Sequence, residues 1–400
     1  MSTGYAAIEL PVNSTSGVEN RSLCNRITRS ITVILLIVLT ILLIWAVAAA
    51  MQRRVSWKVD VVKHGMFLNE TDSVFRWNYN SAYIPLHQPD GTIKHSLAVR
   101  CQNVSGPTFY DVGPSYIMFA ESEPDGTWSH ITMDDVLLAP NTAGVDNGGV
   151  EDPRVVYWEK SGFYYMHYTA VKYRDDDTLS PHLAVATSPT GLPGSWTKYG
   201  PLWEQNDGDS KSGAVIINEK WPKKNHSMIW GDYSLYWSTS DDMLHWENER
   251  TTPWMEVRND HFDSALVEAG PAPMKLSDGN LLFLYNSARE VGQISSKPGW
   301  KLEYNIGFLI LDKDDPKKIL HRSEEPILSP TEVWEKCDNS TNIDGLTPDV
   351  VFVEGMRPID GKDDSFLVYY QGCDGFMATA TFTVSFTKKK GFYDPLYFLS

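Results

Sequence analysis

Residues 150–154 read Val-Glu-Asp-Pro-Arg and run directly into an aromatic, strand-like segment that ends near Ala170. Carboxylates such as those of Glu151 and Asp152 can donate or take a proton at a glycosidic oxygen. Arg154 offers several donors that can hold an oxygen-rich ligand, and aromatic rings can stack on pyranose rings. The segment therefore indicates a sugar site. The alternative is a surface turn in which Glu151 or Asp152 simply pairs with Arg154.

The elements that would position these residues read as strands. Short runs of β-branched and aromatic residues alternate with Gly, Pro, Asp and Asn, which predicts an all-β architecture. A weak repeat places a Ser shortly before a Trp at 122–128, 188–196 and 240–246. Separations of roughly fifty to seventy residues fit one four-stranded blade each, which favours a β-propeller. The alternatives are coincidence in a Trp-rich chain and a β-sandwich.

The chain resembles glycoside hydrolase family 130, the β-mannoside phosphorylases and β-mannosidases, over roughly residues 78–384. The family signature is Gly-x-Glu-Asp-Pro-Arg followed by Tyr-Tyr-x-x-Tyr-Thr-Ala, and residues 149–170 match it. Further matching blocks follow in family order: 263–264, 268–273, 278–286, 311–312 with 315–316, 326–328, 350–352 and 369–374. The resemblance implies a five-bladed β-propeller that acts on β-mannoside-type glycans.

The resemblance also implies roles for single residues. The family's proton donor is the aspartate of the signature, which places that role on Asp152; in the phosphorylases the proton passes through a sugar hydroxyl. The residues expected to bind the substrate are Asn78, Asn80, Arg100, Glu151, Arg154, Lys211, Asp263 and Asp374. For Glu151 the alternative is an ion pair with Arg154. For Asp263 and Asp374 it is a structural cap at a blade turn.

The chain departs from the family's phosphorylases where phosphate would bind. Phosphorolysis needs Arg, Lys and His side chains whose charges offset the phosphate dianion. Lys211 is retained, but the strand at 228–232 lacks the phosphorylases' His-Arg pair, and residues 285–287 read Tyr-Asn-Ser in place of their Tyr-His-Gly. Glu268 stands where the phosphorylases have glycine. The changes remove cations and add a carboxylate.

These departures favour water as the acceptor. Inverting hydrolysis uses one carboxyl group as acid and one as base with a water between them, so we expect Asp152 to protonate the leaving oxygen and Glu268 to activate water. The alternative role of Glu268 is an ion pair with Lys275 or Arg289 in the wall. Two other functions remain open: a glycoside phosphorylase that uses inorganic phosphate, and a catalytically silent propeller that binds glycans.

Composition narrows the partners. The 400 residues are 42% hydrophobic and carry a net charge of −16. This charge argues against nucleic-acid binding, which needs a basic surface, whereas a neutral oligosaccharide meets no repulsion. The ten His residues show no His-x-His or His-Glu-x-x-His arrangement. We therefore expect no metal site and no cofactor.

Residues 31–51 form an uncharged apolar stretch, and about 20 apolar residues suffice for a helix to span a bilayer. We expect a signal anchor in the lipid bilayer, with a cytosolic tail at 1–30, a stalk at 52–65 and the propeller at 66–400. The alternative is a cleaved signal peptide ending near the alanines at 48–50. Glycosylation sequons follow the stretch, at Asn69, Asn103, Asn225 and Asn339. They predict a type II protein with a luminal or extracellular catalytic domain, in the Golgi, another secretory compartment or the cell surface.

Four cysteines are too few for a disulfide scaffold. Cys337 and Cys373 belong to the C-terminal blocks of the resemblance and are the pair expected if a disulfide forms. That assignment leaves Cys101 as a buried thiol. Spacing alone does not assign the connectivity.

Overall fold

The computed structural model describes residues 31–43, 55–68 and 71–388, except 104, 106–111, 124–125, 175, 177, 205–207, 219, 221–224, 295–296, 298 and 338–344. The chain divides into two compact units, residues 1–56 with 386–400, and residues 57–385. In the first unit, residues 31–43 are helical. The second unit is all-β and contains every site residue discussed below.

The described strands form five sheets. The first contains β2 (Trp77–His87), β3 (Ile93–Gln102), β4 (Tyr116–Glu121) and β5 (Val136–Leu138), and the second β6 (Gly149–Trp158), β7 (Phe163–Tyr173), β8 (Leu179–Ser188) and β9 (Thr197–Pro201). The third contains β10 (Ala214–Ile216), β11 (His226–Trp230), β12 (Ser234–Ser240) and β13 (Met255–Glu256). The fourth contains β14 (Leu266–Ala269), β16 (Leu281–Glu290), β17 (Leu302–Leu311) and β18 (Ile319–Arg322), with β15 (Met274–Lys275) beside β16. The fifth contains β19 (Val351–Pro358), β20 (Ser365–Gly372), β21 (Phe376–Lys388) and β1 (Val55–Leu68). A 3₁₀ turn at Met133–Asp135 and a short helix at Val333–Lys336 lie between strands.

Five apolar clusters hold successive sheets together. Because neighbouring residues of a strand point to opposite faces, consecutive residues enter different clusters. Ile229 belongs to the cluster shared with the fourth sheet and Trp230 to the one shared with the second. Tyr370 and Tyr369 likewise join the fifth sheet to the fourth and to the first. The clusters therefore close a ring of five sheets, which is the five-bladed, propeller-like arrangement that the resemblance implies.

The Ser–Trp repeat marks the end of the third strand in three blades. Ser188 and Ser240 are the last residues of β8 and β12, and Ser122 directly follows β4. The hydroxyl of Ser188 accepts a hydrogen bond from the backbone N–H of Gly191 at 2.7 Å, and that of Ser240 from Met243 at 2.9 Å. Such hydroxyl-to-backbone bonds favour turns over continued strand. The repeat is thus a turn signal placed once in each of these blades.

The expected stalk at 52–65 is wrong for residues 57–65. These residues lie in β1, which pairs with β21 and completes the fifth sheet. Val59 is buried, and Trp57 and Val61 pack against the same cluster, as a period of two requires. Lys63 on this face pairs with the buried carboxylate of Glu335 at 2.6 Å. The N-terminal strand therefore closes the ring.

The structure describes only part of the N-terminal region and only some of the expected glycosylation sites. Among the described residues, no helix is long and apolar enough to cross a membrane. The tail at 1–30, the anchor residues 44–51 and the sequons at Asn69 and Asn339 lie outside the described residues. Asn103 and Asn225 are exposed.

Cys337 and Cys373 form a disulfide with a Cα–Cα distance of 6.2 Å. Of the described cysteines, Cys101 is free and buried. The disulfide ties the end of the short helix to the turn between β20 and β21.

Candidate active site

The polar residues of the site lie mainly on or just before the first strands of the five sheets, namely β2, β6, β10, β14 and β19. In a propeller these strands surround the central channel. Three of the strands carry a β-bulge at the site. Asn80 is the extra residue in β2, and Glu354 is the extra residue in β19. In β6, Asp152 and Pro153 together face a single residue of β7. Bulges re-aim side chains and are enriched next to active sites.

Asp152 is held in a strained and strongly cationic position. Its φ of 51° lies in the left-handed region, as does the φ of 46° at Asn80, which costs a non-glycine residue on the order of 1–3 kcal/mol. Oδ1 of Asp152 accepts hydrogen bonds from Asn80 Nδ2 and from Arg100 Nη1, each at 2.8 Å. Burial raises the pKa of Asp152, but Arg100, Lys211 and Arg154 outweigh burial and lower the pKa to about 2. In the free protein Asp152 is therefore ionised at neutral pH.

Glu151 pairs with Arg100 and not with Arg154. Its Oε1 accepts from Arg100 Nη2 at 2.6 Å and from the Ser115 hydroxyl at 3.1 Å. Burial raises the pKa of Glu151, and the charge of Asp152 adds to this rise while Arg100 opposes it. Arg100 thus bridges the two carboxylates of the signature.

Arg154 is expected to bind substrate, but the structure gives it a different role. Its side chain is 1% exposed. Nε donates to the backbone carbonyl of Gly270 at 3.2 Å, Nη2 to that of Ala269 at 2.6 Å, and Nη1 to the backbone carbonyl, not the carboxylate, of Asp152 at 2.9 Å. Nη1 also lies 3.3 Å from a carboxylate oxygen of Glu354. The planar fork of arginine suits several simultaneous bonds, so Arg154 braces β6 against β14.

Glu268 is the second carboxylate of the site. It lies on β14 and is 1% exposed. Oε1 accepts a hydrogen bond from the Ser212 hydroxyl and lies 3.1 Å from Lys211 Nζ. Burial raises the pKa of Glu268, with the charges of Asp232 and Asp152 adding to the rise and Lys211 opposing it. Lys211 is the partner, so the alternative pairing with Lys275 or Arg289 is wrong.

Lys211 links Glu268 to the mouth of the site. Its ammonium also lies 3.8 Å from Asp232, and its side chain is 24% exposed. Burial lowers the pKa of Lys211, but Glu268, Asp232 and Asp152 outweigh burial and raise it. Lys211 is therefore a charged, partly accessible cation beside Glu268, and its charge also lowers the pKa of Asp152.

Glu354 is a site residue that the motif reasoning missed. It is 2% exposed, and burial raises its pKa well above the usual range despite the nearby Arg154. The available signal is a glutamate inside the apolar strand Val351 to Met356. A carboxylate at such a position is rarely buried unless it has a partner or a task.

Two expected substrate contacts have structural roles. Asn78 is fully buried, donates to the carbonyl of Phe75 at 3.2 Å and accepts from Cys101 Sγ at 3.1 Å. Asp263 is also fully buried and is enclosed by Arg258, Arg322 and Tyr285, with an Arg322 Nη2 distance of 2.6 Å. The sequence shows that Asn78 and Asp263 are polar, but it does not show that their side chains point into the protein.

Asp374 and an aromatic pair lie near the two carboxylates. Asp374 accepts from Gln371 Nε2 at 2.7 Å, and burial raises its pKa while Arg100 opposes the rise. The ring of Tyr304 stacks on Trp300, with centroids 6.1 Å apart. Tyr304 is close enough to Glu268 and Lys211 for their charges to affect its pKa, which burial raises. Stacked rings beside carboxylates suit a sugar ring, and no motif pointed to this pair.

The described residues contain no group of three or more His, Cys, Asp or Glu that could hold a metal ion. The carboxylates of the site are instead interleaved with Arg100, Arg154 and Lys211. Such a set can exchange protons and hold hydroxyl groups without a metal.

Residues 110–388 match the model of the glycoside hydrolase family 130, described as β-1,4-mannooligosaccharide phosphorylase. The chain belongs to this family. A 1,2-β-oligomannan phosphorylase of Thermoanaerobacter sp. is 31% identical over 233 residues, covering 58% of this chain and 67% of the relative. A β-1,2-mannobiose phosphorylase of Listeria innocua is 26% identical, covering 68% of this chain and 67% of the relative. The chain thus spans about two thirds of the length of these relatives.

Solved structures support the same family-130 fold. One is a putative glycosidase of Bacteroides thetaiotaomicron, 26% identical with a TM-score of 0.61, covering 76% of this chain and 86% of the other. Another is 26% identical with a TM-score of 0.60 and covers 76% of this chain and 84% of the other. It is described with the finding that the GH130 family of mannoside phosphorylases contains glycoside hydrolases that target β-1,2 mannosidic linkages in Candida mannan.

The curated relatives described above are phosphorylases that act on β-mannosidic linkages. On this ground the comparisons favour phosphorolysis, the alternative, over the hydrolysis that the sequence predicts. They support an enzyme that acts on β-mannosides.

Proposed function

We propose that this family-130 chain cleaves β-1,2-mannosidic bonds in an oligosaccharide, with Asp152 and Glu268 as the working carboxylates. The observation that carries the proposal is the bracing of their two strands by Arg154, which donates to the carbonyls of Asp152 and of Ala269, the residue after Glu268. Lys211 lies 3.1 Å from Glu268, and its charge also lowers the pKa of Asp152. The β-1,2 linkage is supported by the names of the Thermoanaerobacter and Listeria relatives.

Water is the acceptor that the local charges favour. Glu268 occupies the wall beside Lys211, Asp232 lies 3.8 Å from the same ammonium, and Glu151 pairs with Arg100. A phosphate dianion entering this set would meet cations that already have carboxylate partners. A neutral water would meet no such repulsion, and Glu268 would supply the base that hydrolysis needs.

Phosphorolysis is the second candidate, carried by the activity of the curated relatives. A phosphate site at Lys211 and Arg154 does not suit it, because Arg154 is enclosed and donates to three backbone carbonyls. Lys211 with Arg100 is the remaining cationic pair, since both side chains are partly exposed.

The donor role of Asp152 requires a change when substrate binds. With a pKa of about 2, its carboxyl group carries no proton in the free protein at neutral pH. Glu268, whose pKa burial raises, must conversely be ionised to act as the base, and the charge of Lys211 favours that form. We infer that a sugar hydroxyl displaces Asn80 or Arg100 from Oδ1 and so lets Asp152 gain its proton. Apo geometry commonly differs from the bound state in this way.

The test incubates the purified chain with β-1,2-mannobiose in the presence and absence of phosphate. Free mannose formed without phosphate, with the released anomer inverted by NMR, supports hydrolysis. A sugar 1-phosphate that appears only with phosphate transfers the proposal to phosphorolysis at Lys211 and Arg100. Asp152→Asn is the control. Equal glycan binding and no turnover in both the wild type and this variant would identify a glycan-binding propeller instead.

We also propose that the propeller faces the lumen of a secretory compartment or the cell exterior. The exposed sequons at Asn103 and Asn225 and the disulfide, a bond typical of oxidising compartments, support this placement. Expression in eukaryotic cells followed by glycosidase treatment provides the test. A mobility shift that Asn103→Gln with Asn225→Gln reduces is expected; a chain without any shift would contradict the placement.

A further inference from the structure

The disulfide and one carboxylate of the candidate active site share a single turn. Cys373 and Asp374 are consecutive residues of the turn between β20 and β21, and Cys373 is bonded to Cys337 at the end of the short helix. Both turn residues have a left-handed backbone, with φ of 54° and 49°. This conformation is unfavourable for residues other than glycine. Contacts with the rest of the protein must therefore hold the turn.

Hydrogen bonds fix the turn to β20 and to the segment before β19. Gln371 and Asp374 bond reciprocally: Nε2 of Gln371 donates to the carboxylate, and Oε1 accepts from the backbone N–H, each at 2.7 Å. The carbonyl of Cys373 accepts from the N–H of Thr347 at 3.1 Å, and its N–H donates to the carbonyl of Val350 at 3.2 Å. The disulfide adds a covalent link from the same turn to the short helix.

The disulfide is enclosed by the chain. Cys337 and Cys373 are 5% and 0% exposed. A methyl group at Gly345 would clash with Sγ of Cys337 and Cβ of Cys373, so a third segment packs directly against the bond. Densely packed interiors transmit displacements. A shift of the helix end would therefore be passed to Cys373 and to the residue that follows it.

The turn adjoins the candidate active site. The carbonyl of Gly375 accepts from the N–H of Asn78 at 3.4 Å, and Asn78 lies two residues before Asn80, which donates to Asp152. Burial raises the pKa of Asp374, and the charge of Asp152 adds to this rise. Asp374 is partly exposed. Because a carboxylate can accept about four hydrogen bonds, Asp374 keeps the capacity to bind hydroxyl groups of a ligand.

We propose that the Cys337–Cys373 disulfide positions the carboxylate of Asp374 to accept hydrogen bonds from the bound mannoside. The inference rests on the sugar cleavage proposed above, and Cys337 acts on the sugar only through Asp374. Preorganisation raises affinity because less ordering remains to be done on binding. A chain without the disulfide must order the left-handed turn when the sugar binds, and it binds more weakly. The oxidising compartment that forms the bond thus affects substrate affinity as well as stability.

The test compares the wild type with Cys337→Ala, which removes the bond and leaves Cys373 and Asp374 in place. Peptide mapping without reduction first checks the wild type, and absence of the bond there would refute the proposal. KM for β-1,2-mannobiose should rise at least about tenfold, the scale of one hydrogen bond to a charged group. The value of kcat should stay within about threefold, because the lost interaction serves ground state and transition state alike.

Phe366→Leu is the matched control for lost stability. Phe366 is buried in the same strand, β20, at the end remote from the turn. The control should lower the thermal midpoint and leave KM unchanged. An equal rise of KM in Phe366→Leu and in Cys337→Ala would assign the effect to lost stability and contradict the proposal.

A double-mutant cycle tests whether the disulfide acts through Asp374. In an Asp374→Ala background, Cys337→Ala should change KM by no more than about twofold, because residues on one path have non-additive effects. Full multiplication of the two single effects would overturn the proposal. Gly345→Ala keeps both sulfur atoms and displaces the turn by its methyl group. It replaces Cys337→Ala if that variant does not fold, and an unchanged KM would count against the proposal in the same way.

The outcomes separate this inference from the proposed reaction. Equal KM values for the wild type and folded Cys337→Ala, with both cleaving mannobiose, would refute the role of the disulfide and leave the cleavage reaction standing. If the wild type binds mannobiose without cleaving it, dissociation constants from calorimetry replace KM, and the same comparisons decide. A wild type that neither binds nor cleaves mannobiose would overturn both proposals.

Discussion

Replacing Arg154 separates a structural brace from a substrate contact. Arg154→Met leaves three buried carbonyls, those of Asp152, Ala269 and Gly270, without their donors. At about 1–2 kcal/mol for each unsatisfied group, the free energy of unfolding should fall by ~3–6 kcal/mol. Arg154→Lys should lose about half of that, because an ammonium cannot reproduce the planar fork. Urea denaturation gives both values, with constant m-values as the check for two-state unfolding.

The matched control is Arg289→Met, since Arg289 is 46% exposed and pairs with Glu303 at 2.8 Å on the surface. A surface pair of this kind contributes about 0–1 kcal/mol. A second check adds Glu354→Met to Arg154→Met, which should cost little further stability because an unpaired buried carboxylate is removed. Arg154 would be a substrate contact and not a brace if Arg154→Met loses under about 1 kcal/mol while kcat/KM for β-1,2-mannobiose drops a hundredfold.

Three further predictions concern the carboxylates. Burial raises the folded-state pKa of Glu354. Its favourable contribution to the free energy of unfolding is therefore complete below the unfolded-state pKa and is lost as pH rises through the folded-state pKa. Glu354→Gln should therefore gain stability relative to wild type as pH rises above about 4, the ordinary pKa of a glutamate, measured by denaturation at each pH; a constant difference would contradict this. Asp152→Asn should lose turnover of mannobiose but retain much more with a 2,4-dinitrophenyl mannoside, while Glu268→Gln should lose on the order of 10²–10⁴-fold with both; the reverse pattern would exchange acid and base. Asp263→Ala should cost about 3–5 kcal/mol of stability yet keep kcat/KM of the folded fraction, and a selective loss of kcat/KM would return this residue to the substrate site.

The fold was largely predictable because its signals are local. Turn residues after alternating apolar strands, together with the Ser–Trp spacing, indicate blades, and turns form from neighbouring residues. The closing strand β1 escaped because its partner β21 is more than 300 residues away in sequence. The alternation of Trp57, Val59 and Val61 is visible, but nothing local shows which strand it pairs with.

The site was predictable in residue type more than in geometry. Asn80 donates a hydrogen bond to Asp152, whereas Glu268 contacts Ser212 and Lys211. Arg154 and Asn78 were expected to contact sugar, yet their donors bind the protein's own carbonyls. Sequence alone does not distinguish these cases, because a buried donor needs a partner whether that partner is substrate or backbone.

The β-bulges described above have a consequence for how this propeller can change its chemistry. A regular strand at the channel must alternate its side chains strictly, so exchanging one inward residue leaves the direction of its neighbours unchanged. An extra residue at Asn80, Asp152 or Glu354 shifts the in-and-out alternation of side chains on only one side of the bulge. The part of the strand beyond the bulge keeps its packing between blades, while the part at the mouth turns a different set of side chains to the ligand. The residues of a strand that face the ligand can thus change while the residues of the same strand that pack between blades stay the same.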